Sequence, residues 1–177
     1  MRSMLLSRAV IGLKRTAVLC VIRHGDDYLL LRREREPNRG LYVPVGGKID
    51  AFESPRAAAI REAREEAAIV VDEVRLLGTL VETSPTEYNW WTAIYLAELR
   101  ERPPLVACVE GEFAWFARDA LHTLPMPETD RHIYAYAERG VKFAFSAEYD
   151  AELRLLRMDE ELAGVSLECG DRSRRFP

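Results

Sequence analysis

The stretch Gly47–Ile69, GKIDAFESPRAAAIREAREEAAI, decides how the rest of the chain is read. It leaves a tight Gly46-Gly47 pair, passes a lone acid at Glu53 and enters an alanine-rich run carrying Arg61, Glu62, Glu65 and Glu66. Ser54 followed by Pro55 predicts a helix start. A hydroxyl can accept from the free amides of a first turn, and proline is tolerated at the first helical position. From there to Ala68 nothing breaks a helix. At about 100° per residue, Glu62, Glu65 and Glu66 fall within roughly 100° of arc, so three carboxylates share one face. Ile60, Ala63 and Ala67 lie roughly opposite, where small side chains allow close packing on a sheet. Such a cluster of carboxylates repels itself unless a cation sits among it. Hard oxygen donors on a solvated face suit Mg²⁺ or Mn²⁺, which take few protein carboxylates plus substrate phosphates.

The order Gly47, five residues, Glu53, seven residues, Arg61-Glu62, two residues, Glu65-Glu66 and a closing Ile69 resembles the Nudix box. The resemblance implies a loop–helix–loop that holds divalent metals against a diphosphate, in an α/β (α+β) fold, the Nudix α/β/α sandwich with a mixed β-sheet. It implies Glu62, Glu65 and Glu66 as metal ligands, with backbone groups of Gly46 and Gly47 near the diphosphate. Glu53 and Arg61, of opposite charge, are expected to pair and brace the loop against the helix. The family usually has glycine where this chain has Ala68. Alanine there predicts either a small strain at a left-handed turn or a slightly longer helix. Taken alone, the three glutamates would also fit an exposed acidic helix; their register with Gly47, Glu53 and Arg61 favours the box.

The chain has 177 residues, enough for one domain with a sizeable core. A net charge of −4 argues against a nucleic-acid polymer as partner. Cys20, Cys108 and Cys169 lack metal-type spacing and read as reduced thiols of a cytoplasmic protein, Cys20 in the core. No apolar run reaches the length of a membrane span, so no membrane partner is expected. Residues 1–15 carry four cations and no acid, read as an irregular arm with a transit peptide as the alternative. The domain is expected over 16–158 and a frayed tail over 159–177, ending in GDRSRRFP.

Outward from the box, Thr16–Arg23 and Tyr28–Arg33 are β-prone runs joined by a turn at His24–Asp27, which makes His24 a loop residue. Leu41–Val45, Ile69–Val71, Val74–Glu82, Trp90–Leu99 and Glu112–Ala117 read as extended. A short helical piece is expected over 118–124, and a helix over Glu128–Arg139 closing at Gly140. Val141–Tyr149 and Glu152–Arg157 read as a final hairpin.

The expected chemistry is attack of water on a phosphoric anhydride, with cations offsetting the charge of two adjacent phosphates and a carboxylate accepting the proton. Glu65 and Glu66 are base candidates within the box; Glu110 and Glu112 are candidates on a later loop. Arg32 and Lys48 are candidate phosphate contacts. LLLRR, GLYVPVGGK and PMPETDRH are similar to the mammalian-type oxidised purine triphosphatases, which implies that Met126, Glu128 and Asp130 hold a purine. Val43 stands where those enzymes have an asparagine, and their stacking tryptophan is missing. The alternative for Glu128 and Asp130 is helix capping. Pro85, sixteen residues past the box, resembles a marker of ADP-ribose pyrophosphatases. A catalytically silent nucleotide-binding Nudix domain is a third reading. The partner expected throughout is a small nucleotide, and the assembly a monomer or homodimer.

Overall fold

A computed structural model describes residues 12–169. The expected arm up to residue 11 and the segment from residue 170 lie outside the described residues. Ten strands form one mixed sheet: β1 Arg15–His24, β2 Asp27–Arg33, β3 Tyr42–Val43, β4 Val45–Lys48, β5 Arg75–Thr83, β6 Trp90–Glu98, β7 Gly111–Ala117, β8 Phe143–Tyr149, β9 Leu155–Glu160 and β10 Val165–Leu167. Among the described residues two helices accompany them, α1 Pro55–Ala67 and α2 Glu128–Arg139, with a 3₁₀ segment at Arg118–Thr123. Strand order is β10-β9-β8-β5-β6-β1-β2-β3, with β4 on β1 and β7 on β2. The β1–β6 and β5–β8 pairs are parallel; the others are antiparallel.

Strand alternation sorts the core into two layers. Val18, Cys20, Ile22, Leu29 and Leu31 face α1, joined by Ala58, Ala59, Ala63 and Ala67 of that helix. Val21, Tyr28, Leu30, Leu80 and Phe145 face α2, joined by Ile133, Tyr134 and Ala137. One helix on each face of a mixed sheet is the sandwich expected from the sequence. No helix among the described residues is long and apolar enough to cross a membrane.

Helix α1 begins as Ser54-Pro55 predicted: Ser54 Oγ accepts from the Ala57 amide at 3.2 Å. Its end decides between the two expectations for Ala68. That residue is left-handed (φ 54, ψ 28) and closes the helix, so the alanine carries strain. Ala68→Gly should therefore stabilise the protein by about 1 kcal/mol, a melting temperature about 2–4 °C higher. An unchanged or lower melting temperature would show that the turn is relaxed with alanine.

Two extended expectations are corrected. Ile69–Val71 forms no strand, although Ile69 and Val71 are buried as anchors of the link to β5. The domain does not stop at residue 158, because β10 pairs with β9. The cause is Glu160, 2% exposed, whose carboxylate accepts from the amides of Ala144, Leu162 and Ala163 at 3.1, 3.1 and 2.7 Å. These bonds fold residues 161–164 back onto the sheet.

Candidate active site

The site grows from the junction of β4 with α1. Strand β4 lies on the first half of β1, with Val18 opposite Gly47 and Leu19 opposite Gly46. A side chain at Gly46 would overlap the Val18 carbonyl, and one at Gly47 would overlap the Glu62 carboxylate. The second overlap ties the box together: glycine at 47 is what lets Glu62 lie against the strand.

Arg61 is the centre of the cluster. Its Nε and Nη2 donate to the two oxygens of Glu53, both at 2.9 Å, and Nη2 also donates to the Lys48 carbonyl at 2.9 Å. Its Nη1 donates to Glu62 Oε1 at 2.7 Å and to Glu65 Oε2 at 3.1 Å. Glu53 further accepts from the Asp50 amide at 3.1 Å. The Arg61 guanidinium holds the Glu53 carboxyl below the usual range. The expected brace between loop and helix is thus present as geometry.

The three box glutamates do not share one solvated face. Glu62 is 9% exposed and turned to the sheet, and burial pushes its carboxyl up against the opposing effect of Arg61. Glu65 is exposed at the rim. Glu66 accepts from the Gly46 amide at 3.2 Å; burial, then repulsion from Glu110 and Glu62, pushes its carboxyl up to about 7. A carboxylate near neutrality, at the seam of helix and sheet, has the acidity a general base needs at physiological pH.

Among the later acids the structure separates Glu110 from Glu112. Glu110 pairs with Arg33 Nη1 at 2.7 Å and is close enough to Glu66 to raise its pKa. Glu112 sits opposite Arg32 in the β2–β7 register. Neighbouring Leu31 and Phe113 face α1, so Arg32 and Glu112 point to the other side of the sheet. Arg32 thus has the phase of the sheet face away from α1, whereas Arg33, one residue on, pairs with Glu110. Lys48 is exposed and contributes its carbonyl to Arg61, while its side chain has the phase of Gly46, away from Glu62.

The 126–130 segment starts α2 on the opposite layer. Met126 is 3% exposed and packs in the α2-side core, at the edge of a shallow cavity of about 280 Å³ beside His122 and Tyr134. Its surface is largely committed to the core. The N-cap position of α2 is Pro127, which offers no capping side chain, and Glu128 and Asp130 lie in its first turn. Asp130 is 6% exposed; burial, then Glu82, pushes its carboxyl up to about 8. Glu82, 7% exposed, accepts from Tyr88 Oη at 3.0 Å and Tyr149 Oη at 2.9 Å. The Tyr88 ring lies edge-on to Tyr149 and Trp90, and Arg15 stacks 4.9 Å over Trp90. Sequence reading missed this group. A signal existed: Glu82 has the phase of Leu80 in β5, an acid at a core position.

A NUDIX domain family model matches residues 13–137. The chain belongs to the NUDIX family. It is with that a Nudix hydrolase, of the pyrophosphohydrolases that act on phosphoric anhydrides. The uncharacterized Nudix hydrolase YvcI of Bacillus subtilis is 28% identical over 151 residues, covering 80% of this chain and 92% of its own. The mutator MutT protein of Bacillus halodurans superposes with a TM-score of 0.75 at 25% identity, over 84% of this chain and 98% of its own. The NUDIX domain of Shewanella oneidensis NrtR, crystallised with ADP ribose, superposes with a TM-score of 0.62 at 20% identity, over 72% and 88% of the two chains, and shares the fold. The chain spans less than half the length of other curated relatives it matches.

Nudix hydrolases use divalent metal ions, and the donor set of this chain suits one. Glu66 is a half-buried carboxylate near two other acids, an arrangement that a cation relieves. No three carboxylate, imidazole or thiol groups converge as a closed cage among the described residues. An ion such as Mg²⁺ takes few protein carboxylates and completes its shell with water and phosphate oxygens. Glu62, Glu65 and Glu66 are the residues that would hold it. When bound, such an ion supplies charge neutralisation at the phosphates and a more acidic water.

Proposed function

We propose that this Nudix protein carries out Mg²⁺-dependent (or Mn²⁺-dependent) hydrolysis of a nucleoside diphosphate linked to another moiety. The substrate is a purine nucleoside triphosphate, ordinary or oxidised, going to monophosphate and pyrophosphate. Glu66 serves as ligand or proton acceptor, with Glu110 held beside it by Arg33. Arg61 keeps Glu53, Glu62 and Glu65 in register. The observation that carries the purine reading is Asp130, a buried carboxyl at the start of α2 with its pKa pushed up to about 8. At pH 7 it is protonated and can donate to a ring nitrogen or carbonyl of a base, as neutral carboxyls do in other sites. The partner is a small nucleotide. A cytoplasmic setting accords with three cysteines that form no disulfide.

A second reading, ADP-ribose or nucleotide-sugar pyrophosphatase, draws on Pro85 in the turn between Ser84 and Thr86 that leads to Tyr88. A silent binding domain is disfavoured because every box acid is present. The deciding test is a hydrolysis panel of oxidised and ordinary nucleoside triphosphates, ADP-ribose and nucleotide sugars, with products identified. Excess EDTA should abolish turnover. Preference for ADP-ribose over every triphosphate would replace the first reading with the second.

Asp130 gives a prediction of its own. Its folded pKa lies above the usual 3.8, so its favourable contribution is fully present below about pH 3.8 and is lost as pH rises through about 8. The wild-type melting temperature should fall across that window, and Asp130→Asn, neutral throughout, should flatten the fall. Asp130→Ala should raise KM for the purine nucleotide about tenfold to a hundredfold with kcat nearly intact, whereas Asp130→Asn retains a donor and a KM near wild type. An unchanged KM in Asp130→Ala would remove Asp130 from the base site.

A further inference from the structure

The cavity of about 280 Å³ between the 3₁₀ segment and α2 holds polar chemistry that the anhydride site leaves unused. Of the residues that line it, Leu121, Met126 and Tyr134 are buried and form its floor. Tyr134 adds an unanswered donor to that floor. It is 2% exposed, and its hydroxyl is one of two buried side-chain polar atoms with no hydrogen-bond partner among the described residues. The other, Trp115 Nε1, belongs to the α1 side of the sheet. A hydroxyl withdrawn from water without a partner is destabilising. Packing does not call for it either. The edge-on contact with Tyr28, ring centroids 5.4 Å apart, needs only the ring, which phenylalanine would supply.

The walls above this floor carry fixed cations. Arg131 donates through Nη1 to the His122 carbonyl at 3.0 Å and through Nη2 to the Leu124 carbonyl at 2.6 Å. Both partners are carbonyls, which hold the guanidinium in place without neutralising its charge. Arg118 lines the cavity from the 3₁₀ segment, and its ion pairs are long, 3.4 Å to Asp26 and 3.8 Å to Asp119. The two acids that line the cavity, Asp119 and Glu138, are exposed, so water screens their charge. A buried hydroxyl with no partner and two guanidinium groups ask for the same thing, an oxygen acceptor with negative charge.

We propose that this cavity is a second binding site, for a small oxyanion whose phosphate or carboxylate group accepts from the Tyr134 hydroxyl and is drawn in by Arg131 and Arg118. Small-molecule pockets run from about 300 to 1,000 Å³. At about 280 Å³ this one takes a compact anion and not a whole nucleotide. Its floor belongs to the α2-side core, while the box glutamates lie on α1 across the sheet, so the site is separate from the anhydride site and does not depend on how that site is read. An anion held there ties the 3₁₀ segment to α2, the helix whose first turn carries Asp130.

The test is thermal melting of the full chain in EDTA, titrated with inorganic phosphate, pyrophosphate or succinate, each against sodium chloride at equal ionic strength. Wild type should melt about 3–6 °C higher at ten times the dissociation constant of the bound anion. A hydrogen bond to a charged group corresponds to about tenfold to a hundredfold in affinity, and Tyr134→Phe should weaken binding by that factor. Arg118→Gln, at the solvent side, should weaken it about twofold to fivefold. In chloride alone Tyr134→Phe should melt no lower than wild type, because it removes a hydroxyl that has no partner there. Its lost affinity is then not a failure to fold. Glu66→Gln should titrate like wild type, which places the anion away from the box. A stronger response to the phosphates than to succinate assigns a phosphate group, and the reverse a carboxylate. A response no larger than that to chloride overturns the proposal, as does an equal response in wild type and Tyr134→Phe. Loss of the response in Glu66→Gln overturns it by moving the anion to the box. Tyr134→Phe melting more than about 2 °C below wild type in chloride overturns it too, since the hydroxyl would then be satisfied within the fold. None of these results touches the hydrolase reading, which the substrate panel tests.

Discussion

Glu66→Gln should lower kcat on the order of 10²-fold or more while folding at least as well as wild type. The two halves of this result have the same origin. Glu66 is withdrawn from solvent, faces Glu110 and Glu62, and is supported by the Gly46 amide and more weakly by Arg33. Burial and repulsion make its charged form unfavourable in the free protein. The amide of glutamine retains an oxygen for the Gly46 amide and removes the repelling charge, so the melting temperature should hold or rise at pH 8. The reaction, in contrast, needs that charge, whether to hold a cation or to accept a proton. The pH series separates the two costs, because the stability difference between mutant and wild type should shrink as pH falls below about 7. Raising Mg²⁺ should recover part of kcat if the lost function is ligation, and none if it is proton acceptance. Turnover near wild type in this mutant would move the chemistry off α1.

Why the box was legible and its surroundings less so follows from the range of the interactions. Ser54, Pro55, Glu53 and Arg61 act within one loop and one helix, where spacing alone fixes proximity. The same is true of Ala68, whose strain could be anticipated from one position. Arg32 and Arg33 are different. Both end the run LLLRR, and which of them faces α1 depends on how β2 is phased against β1 and β7, a tertiary fact. A one-residue error in phase moves a cation to the other side of the sheet, and Glu112 follows Arg32 there. β10 escaped notice for a related reason: its pairing depends on Glu160 burying its carboxylate among three amides, and an isolated acid in EELAG gives no sign of that. The Glu82–Tyr88–Tyr149 group brings together β5, the following turn and β8, so no local pattern could announce it. Its members stand out only once Glu82 is seen at a core position.

Arg61→Lys should destabilise the protein by about 3 kcal/mol, a fall of about 6–12 °C in melting temperature, and Arg61→Ala somewhat more. Arg61 makes five hydrogen bonds, two to Glu53 and one each to Glu62, Glu65 and the Lys48 carbonyl. An ammonium has three donors on one atom and cannot span acceptors that a guanidinium reaches from three nitrogens. Two of the acid partners are largely shielded from water, Glu53 at 15% and Glu62 at 12% side-chain exposure against 20% for Arg61, while Glu65 stays exposed. Their charges would remain crowded and only partly solvated after the substitution. The low end of the range for breaking a buried ion pair applies, because this network keeps some contact with solvent. Pairing Arg61→Ala with Glu53→Ala should recover part of the loss, since the second change removes one of the stranded carboxylates. A bound cation should recover part of it too. An ion that binds the folded protein stabilises it by mass action, and here it would replace the positive charge that Arg61 supplies to Glu62 and Glu65. The deficit measured in EDTA should therefore exceed the deficit measured with Mg²⁺. A deficit identical in both, or a melting temperature within about 2 °C of wild type, would mean that Arg61 does not hold the box acids in place.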